Sequence, residues 1–268
     1  MAPRQAAQSV ALTIAGSDSG GGAGVQADLK TFAALGVHGA SAITSVTAQN
    51  PKRVVAIQPC SPAIVRRQIE AVFAELPPAA VKTGMLFSAQ IVRVVADFFA
   101  GKKRPPLIVD PVMVATSGKR LLKDSGVAML QAKLLPLATL VTPNLDEAQI
   151  LSGVQIELPE HMRQAARRIR ERFGCAVLVK GGHLRGSREA VDIFYDGPTE
   201  LLLKAPFVRS VRTHGTGCTY SAAITAYVAR GHRLGRAVEL AKSYITRAIF
   251  QSVHAAGHTV LRHVPGIW

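Results

Sequence analysis

Acidic residues are scarce in this 268-residue sequence: 17 Asp and Glu stand against 32 Lys and Arg, a formal net charge of +15. Such an excess suits a polyanion partner, but two further features argue against nucleic acid. Aromatic residues make up 5% of the chain and are not interleaved with the basic ones. The arginines gather on amphipathic helical patterns, with Arg163, Arg167, Arg168, Arg170 and Arg172 on one and Arg66 and Arg67 on another. The charge therefore reads as solvated helix faces and an attraction for anionic substrates. Cysteine is scarce too. Cys60, Cys175 and Cys218 are odd in number and scattered, which excludes a disulfide framework and points to a reducing compartment. None has zinc-site spacing, and Cys175, inside Gly174-Cys175-Ala176-Val177-Leu178, reads as buried and inert. No apolar run approaches the roughly 18 residues of a membrane span. Met1 to Gln8 carries one arginine and no apolar core, so it reads as a flexible tail rather than a secretory signal. The expectation is a cytoplasmic protein with neither membrane nor nucleic acid as partner.

What is present is an alternation of strands and helices. Val10–Ala15 is a short β-type run, followed by the glycine cluster 16–24 and a helical pattern Val25–Leu35 closed by Gly36. His38–Ala48 reads as a second strand and Val54–Ile57 as a third. Ser61-Pro62 supplies an N-cap and a first-turn proline for a helix that Pro77-Pro78 ends. Strand-like 80–86, a helix from Ser88 to Phe99, strand Leu107–Asp110, helix Asp124–Leu135 and strand Thr139–Thr142 follow. Pro143 to Glu147 turns into a helix, and then come basic helix Pro159–Phe173 and strand Ala176–Lys180. Ala190–Tyr195 and Glu200–Ala205, joined by Asp196-Gly197-Pro198, read as an antiparallel hairpin. Two helices, near 220–230 and 234–256, close the chain. This order predicts one α/β domain over 1–268, with a mainly parallel central sheet and helices on both faces.

In such sheets ligands sit beyond the strand carboxyl ends. Asp18, Gln49, Lys82, Met85, Asp110, Asn144, Glu147, Lys180 and the turn Gly215-Thr216-Gly217-Cys218 all fall there. The turn carries the most chemistry. Glycines admit an anion close to the backbone, and a helix start offers unpaired N–H groups and the positive end of the helix dipole. Cys218 at that start is expected to have a lowered thiol pKa; the alternative is a plain helix start with Cys218 as core filler. The glycine cluster 20–24 matches neither a P-loop, lacking Gly-Lys-Ser/Thr, nor a dinucleotide fingerprint, lacking the later acid. It also reads simply as a tight strand-to-helix turn. Asp110, before Pro111, and Glu147, three residues after Asn144, form a candidate Mg²⁺ site reached through water; for Glu147 the competing reading is the partner of an N-cap. Lys180 is placed to neutralise a phosphate or else to snorkel, and Lys119 is a weaker candidate of the same kind. These parts make a phosphoryl-transfer kit, in which positioning and charge neutralisation do most of the work.

The motifs Ala11 to Asp18, Gly21 to Phe32, Thr47-Ala48-Gln49-Asn50, Lys82 to Leu86, Val109 to Met113, Thr142 to Ala148, Val179 to His183 and His214 to Thr219 run in one order over almost the whole chain. In this the sequence resembles the hydroxymethylpyrimidine/phosphomethylpyrimidine kinases of thiamine biosynthesis, within the ribokinase-like superfamily. The resemblance implies a ribokinase-like three-layer sandwich and, from its relatives, a homodimer. It implies ATP and Mg²⁺ as cosubstrate and cofactor. The implied reaction phosphorylates the hydroxymethyl group of 4-amino-5-hydroxymethyl-2-methylpyrimidine and then converts the monophosphate to the diphosphate. Carried over by motif, Gln49 hydrogen-bonds the amino and ring-nitrogen edge of the pyrimidine, an edge that asks for a donor and an acceptor together. Gly16, Asp28, Met85 and Val112 shape the same pocket, and Gly215 to Cys218 form the anion hole, with Thr216, Asn144 and Lys180 towards the nucleotide. Cys218 is left as either a base or a positioning group. The sequence departs from the family pattern at Ser19-Gly20 and at Pro51-Lys52 beside the pyrimidine flap, and no thiamine-phosphate synthase extension is expected after Trp268. Two other readings compete: a pyridoxal or pyridoxine kinase with the same cysteine turn, and a non-catalytic binding protein that uses the pocket.

Overall fold

The computed structural model describes residues 8–101, 104–114, 118, 120–182, 184, 189–208 and 214–264. The tail 1–7 and Lys119 lie outside these residues. Strand β1 (Val10–Ala15) leads through the glycine cluster into α1 (Gly24–Ala34), and β2 (His38–Ile43) returns parallel to β1. The expected long second strand is two elements. Thr44 ends β2 by donating its N–H to Ala15 and its hydroxyl to the carbonyl of Met85. Beyond it, β3 (Ser45–Gln49) leaves the sheet and pairs with β4 (Val54–Pro59) as a separate antiparallel ribbon. The two segments share one β-type composition, so only the backbone break at Thr44 separates them.

The remaining strands are β5 (Ala80–Thr83), β6 (Leu107–Val109), β7 (Leu140–Val141), β8 (Ala176–Gly181), β9 (Glu189–Tyr195) and β10 (Glu200–Pro206). The main sheet has the order β10-β9-β8-β7-β6-β5-β1-β2, parallel from β8 to β2, with β9 and β10 forming the antiparallel edge hairpin. From β1 the chain first adds β2 on one side and then β5 on the other. That reversal opens a crevice at the carboxyl ends.

Side chains alternate across the sheet. Leu12, Ile14, Val81, Leu107, Val109, Val141, Val177 and Val179 face the core formed with α2 (Pro62–Glu75), α3 (Ala89–Phe99) and α6 (Pro159–Phe173). Ile108, Leu140 and Leu178 face α7 (Thr216–Ala229) and α8 (Leu234–Phe250). Helices thus cover both faces, which is the expected three-layer α/β sandwich. The helix expected over 124–135 changes winding on the way, from α (Asp124–Met129) to a π turn (Leu130–Leu134) and a 3-10 turn holding Pro136. The last helix was expected to reach 256. It ends at Phe250, and a small hairpin, Val253–Ala255 with His258–Val260, follows across Ala256 and Gly257, both at positive φ.

Candidate active site

Three loops converge at the crevice. The first is the glycine loop after β1. Asp18 is buried and accepts from the N–H groups of Gly20 (2.8 Å), Ala23 (2.8 Å) and Gly22 (3.1 Å). His214 Nε2 lies 3.1 Å from the same carboxylate. Burial alone would raise the Asp18 carboxyl; the bonds from His214, Ala23 and Gly20 overcome it and hold the group below its usual value. Asp18 therefore shapes the glycine loop, its carboxylate engaged by the loop's own N–H groups.

The second loop is the anion turn. Gly215 takes φ 85° as the N-cap of α7, which has no side-chain cap and no acidic residue in its first turn. A Cβ on Gly215 would sit 1.7 Å from the carbonyl oxygen of Gly22, so the turn and the glycine loop touch backbone to backbone here. His214 reinforces this junction: its Nε2 meets the amide of Gln49 at 2.8 Å. The one nitrogen serves one partner at a time: Nε2 accepts from the Gln49 amide or, when it carries the proton, donates to Asp18.

The third component is the row of charges along β6, β7 and β8. Lys180 Nζ donates to Asp110 Oδ1 at 2.9 Å, and a Cβ on Gly217 would stand 3.3 Å from the same nitrogen. The lysine therefore joins the sheet carboxylate to the anion turn. Thr142 and Ser221 also donate to Asp110, at 3.1 and 3.2 Å. Burial would raise Asp110; Lys180 first, then Lys82, lower it and keep it ionised. Neither hydroxyl was singled out from the sequence. Ser221 had a signal, since it lies one helical turn after Gly217 and so points along the same face.

Asn144 and Glu147 form the capping box of α5 (Leu145–Ser152), so the structural reading of that pair holds. Asn144 Oδ1 accepts from Glu147 N, and Glu147 accepts from Asn144 N at 3.0 Å and Met113 N at 3.1 Å. Burial raises the Glu147 carboxyl, with Lys180 opposing it and Asp110 adding to the rise. Among the described residues no three His, Cys, Asp or Glu side chains are grouped as a metal cage. Two carboxylates already engaged by the protein suit a hydrated Mg²⁺ that shares phosphate oxygens, which is how this ion usually binds.

On the acceptor side, a Cβ on Gly16 would lie 2.4 Å from Met85 Cε and 2.7 Å from Ser45 Oγ, so a glycine is required where these groups meet. Gln49 is half-buried at the end of β3 and faces the same crevice. Val112 holds φ 40°, a strained value for a β-branched residue, directly after Asp110-Pro111. Gly16, Gln49, Met85 and Val112 are all at the crevice. Asp28 is not. It is fully buried on α1, accepting from Thr13 Oγ1 at 2.7 Å and Lys82 Nζ at 2.9 Å, a layer beneath the pocket it was expected to line.

Cys218 also departs from expectation. Burial pushes its thiol up to about 11, against the pull of Lys82, with Asp28 and Asp110 adding to the rise and the N–H of Gly24 opposing it. The helix dipole is outweighed by the loss of water, so Cys218 rests as a neutral thiol. Together the structure brings an uncapped helix start (Gly215 to Cys218), the Lys180 ammonium and the Asp110 and Glu147 carboxylates to one crevice, with Gly16, Gln49, Met85 and Val112 beside them.

Comparison with known proteins agrees with this chemistry. The family model for phosphomethylpyrimidine kinase matches residues 18–262. The chain is 51% identical over 243 residues to a hydroxymethylpyrimidine/phosphomethylpyrimidine kinase of Rhizobium meliloti, covering 90% of each chain. It is 46% identical over 254 residues to a thiamine biosynthesis bifunctional protein of Geobacter sulfurreducens, spanning 94% of this chain but 52% of that one. Among solved structures, an ADP complex of Bacillus subtilis pyridoxal kinase superposes with a TM-score of 0.88 at 37% identity, covering 96% of this chain and 98% of that one. The chain belongs to the phosphomethylpyrimidine kinase family.

Proposed function

We propose that this chain is an ATP-dependent kinase that phosphorylates the hydroxymethyl group of 4-amino-5-hydroxymethyl-2-methylpyrimidine and then its monophosphate, in thiamine biosynthesis. The observation that carries the reading is Lys180: one ammonium bridges Asp110 and the Gly217 position of an uncapped helix start. That is a seat for a phosphoryl group in transfer, with Gln49, Gly16, Met85 and Val112 on the acceptor side. Gln49 can read the aminopyrimidine edge because an amide both donates and accepts, and His214 fixes its orientation. The anion turn gathers the charge that develops on the phosphoryl oxygens, and Lys180 neutralises it without reorganisation. Asn144 and Thr216 flank the nucleotide phosphates. Asp110 and Glu147 would hold Mg²⁺ through water, and the ion would supply further charge neutralisation. Cys218, as a neutral thiol, positions the acceptor hydroxyl; in a loose phosphoryl-transfer transition state a strong base is not required.

The reading takes residues 1–268 as a single ribokinase-like domain in a cytoplasmic homodimer. Three scattered cysteines without a disulfide support the compartment. The exposed valines Val46 and Val55 of the β3–β4 ribbon supply an apolar face for a second copy. The deciding experiment is turnover of hydroxymethylpyrimidine and of pyridoxal at equal concentrations with ATP and Mg²⁺, with products resolved by mass. Pyrimidine monophosphate followed by diphosphate supports the proposal, and Gln49→Ala should then raise the KM for the pyrimidine about tenfold or more, with that for ATP nearly unchanged. Pyridoxal phosphate alone would transfer the chain to vitamin B6 salvage.

A further inference from the structure

The Lys82-Thr83-Gly84-Met85 motif gives Met85 to the pocket, but its lysine has no place in the ligand chemistry above. Lys82 is completely buried on β5, where it pairs in register with Thr13 of β1. Its Nζ reaches Asp28 Oδ2 at 2.9 Å, while Asp28 Oδ1 is buried without a partner. A buried pair with an orphaned oxygen is a poor stabilising device, because desolvation of both charges consumes most of the attraction. Its placement suggests another use. Asp28 follows Gly24 by four residues on α1, so it lies on the same helix face about 6 Å, or one turn, below it. Ala11 of β1 and Ala80 of β5, which share strand faces with Thr13 and Lys82, pack against Ala222 and Ala226 of α7. Helix α7, with Cys218 in its first turn, packs across β1 and β5 from the side that Lys82 and Thr13 face. The pair therefore stands under the start of α7, about one helical turn from Cys218. The charged groups facing that thiol are Lys82 from β5, Asp28 from α1, Asp110 from the end of β6 and Lys180 from β8.

We propose that Lys82 is an electrostatic positioning residue: its buried charge, fixed by Asp28, acts through the protein on Cys218 and the anion turn above it. Burial would neutralise the lysine, and Asp28 keeps it protonated. A unit charge at this separation, at an effective dielectric constant near 20, shifts a titration by at least about one pH unit.

The readout is the rate at which iodoacetamide alkylates Cys218 between pH 7 and 9 in the full chain, with the site resolved by peptide mass so that Cys60 does not interfere. No substrate is involved, so the outcome is separate from that of the turnover test. Lys82→Met should slow alkylation at fixed pH about tenfold, and Lys82→Arg, which keeps a cation there, should stay within about threefold of the unmodified chain. Because Lys82→Met strands Asp28 and can unfold the chain, Lys82→Met/Asp28→Asn is also read, with a smaller slowing in the same direction expected because both charges leave together. Lys82→Arg as slow as Lys82→Met, or a double variant that alkylates at the unmodified rate, would show a structural pair only and overturn the proposal.

Discussion

Gly215→Ala tests the junction of the two ligand loops most directly. The glycine sits at φ 85°, a conformation that costs a residue with a Cβ about 1–2 kcal/mol. The new methyl would also lie 1.7 Å from the Gly22 carbonyl oxygen, a backbone atom that cannot rotate away. Reaching an ordinary separation of about 3.5 Å needs the loops to part by about 1.8 Å. The two effects together suggest a loss of about 2–3 kcal/mol, or a Tm lower by roughly 5–10 °C for a chain of this size. The functional loss should be larger in proportion. The anion turn and the glycine loop move apart, Gln49 loses its register with the turn, and a misplacement beyond about 1 Å costs on the order of 100-fold in kcat/KM. Steady-state turnover and thermal unfolding on the same preparation measure both. The control is Gly217→Ala, whose methyl would meet only the flexible end of Lys180 at 3.3 Å, within a helix. That variant should keep or slightly raise its Tm, since alanine is the better helix residue by about 0.5–1 kcal/mol, while losing about tenfold in activity. A Gly215→Ala enzyme within about threefold of wild type in kcat/KM would refute the reasoning.

Lys180→Met removes the cation beside the anion turn, and should lower kcat by about 100-fold or more with the fold retained, because Thr142 and Ser221 still donate to Asp110. Asp192→Ala should cost about 3–5 kcal/mol in urea unfolding, because it strands Lys242, whose buried Nζ lies 2.7 Å from the carboxylate; replacing both partners with apolar residues should recover most of that loss. His263, which meets the Thr219 hydroxyl at 3.1 Å, has its titration lowered by burial to about 4. The unfolded chain binds the proton first, so stability is fully present above the unfolded value near 6.5 and falls towards pH 4, by about 3 kcal/mol in total. His263→Gln should flatten that part of the pH–stability curve, and an unchanged slope between pH 6.5 and 4.5 would count against it.

Much of the site was legible because it is built from chain-local grammar. The turn 215–218 is a glycine-bracketed helix start, and Asn144 with Glu147 is a capping box at three-residue spacing. Strand ends at 15, 83, 109, 141 and 181 follow from apolar runs stopped by turn residues. Asp28 misled because its motif neighbours line the crevice while its own side chain turns inward to Lys82. The Cys218 titration misled for a related reason: a helix start favours the thiolate, but the sign is set by how much protein covers the sulfur.

By itself, then, the amino-acid order determined the alternation of strands and helices, the parallel sheet that alternation requires, and which residues fall at strand carboxyl ends. Period and punctuation are local properties of a chain, and each is repeated at every strand. Only the tertiary structure decided what those residues do to one another. It separated β3 from β2, put His214 between Asp18 and Gln49, 196 and 165 residues away in sequence, and drew Lys180 to Asp110 across 70 residues. Those contacts depend on distance, burial and the sum of neighbouring charges, and no spacing along the chain encodes them.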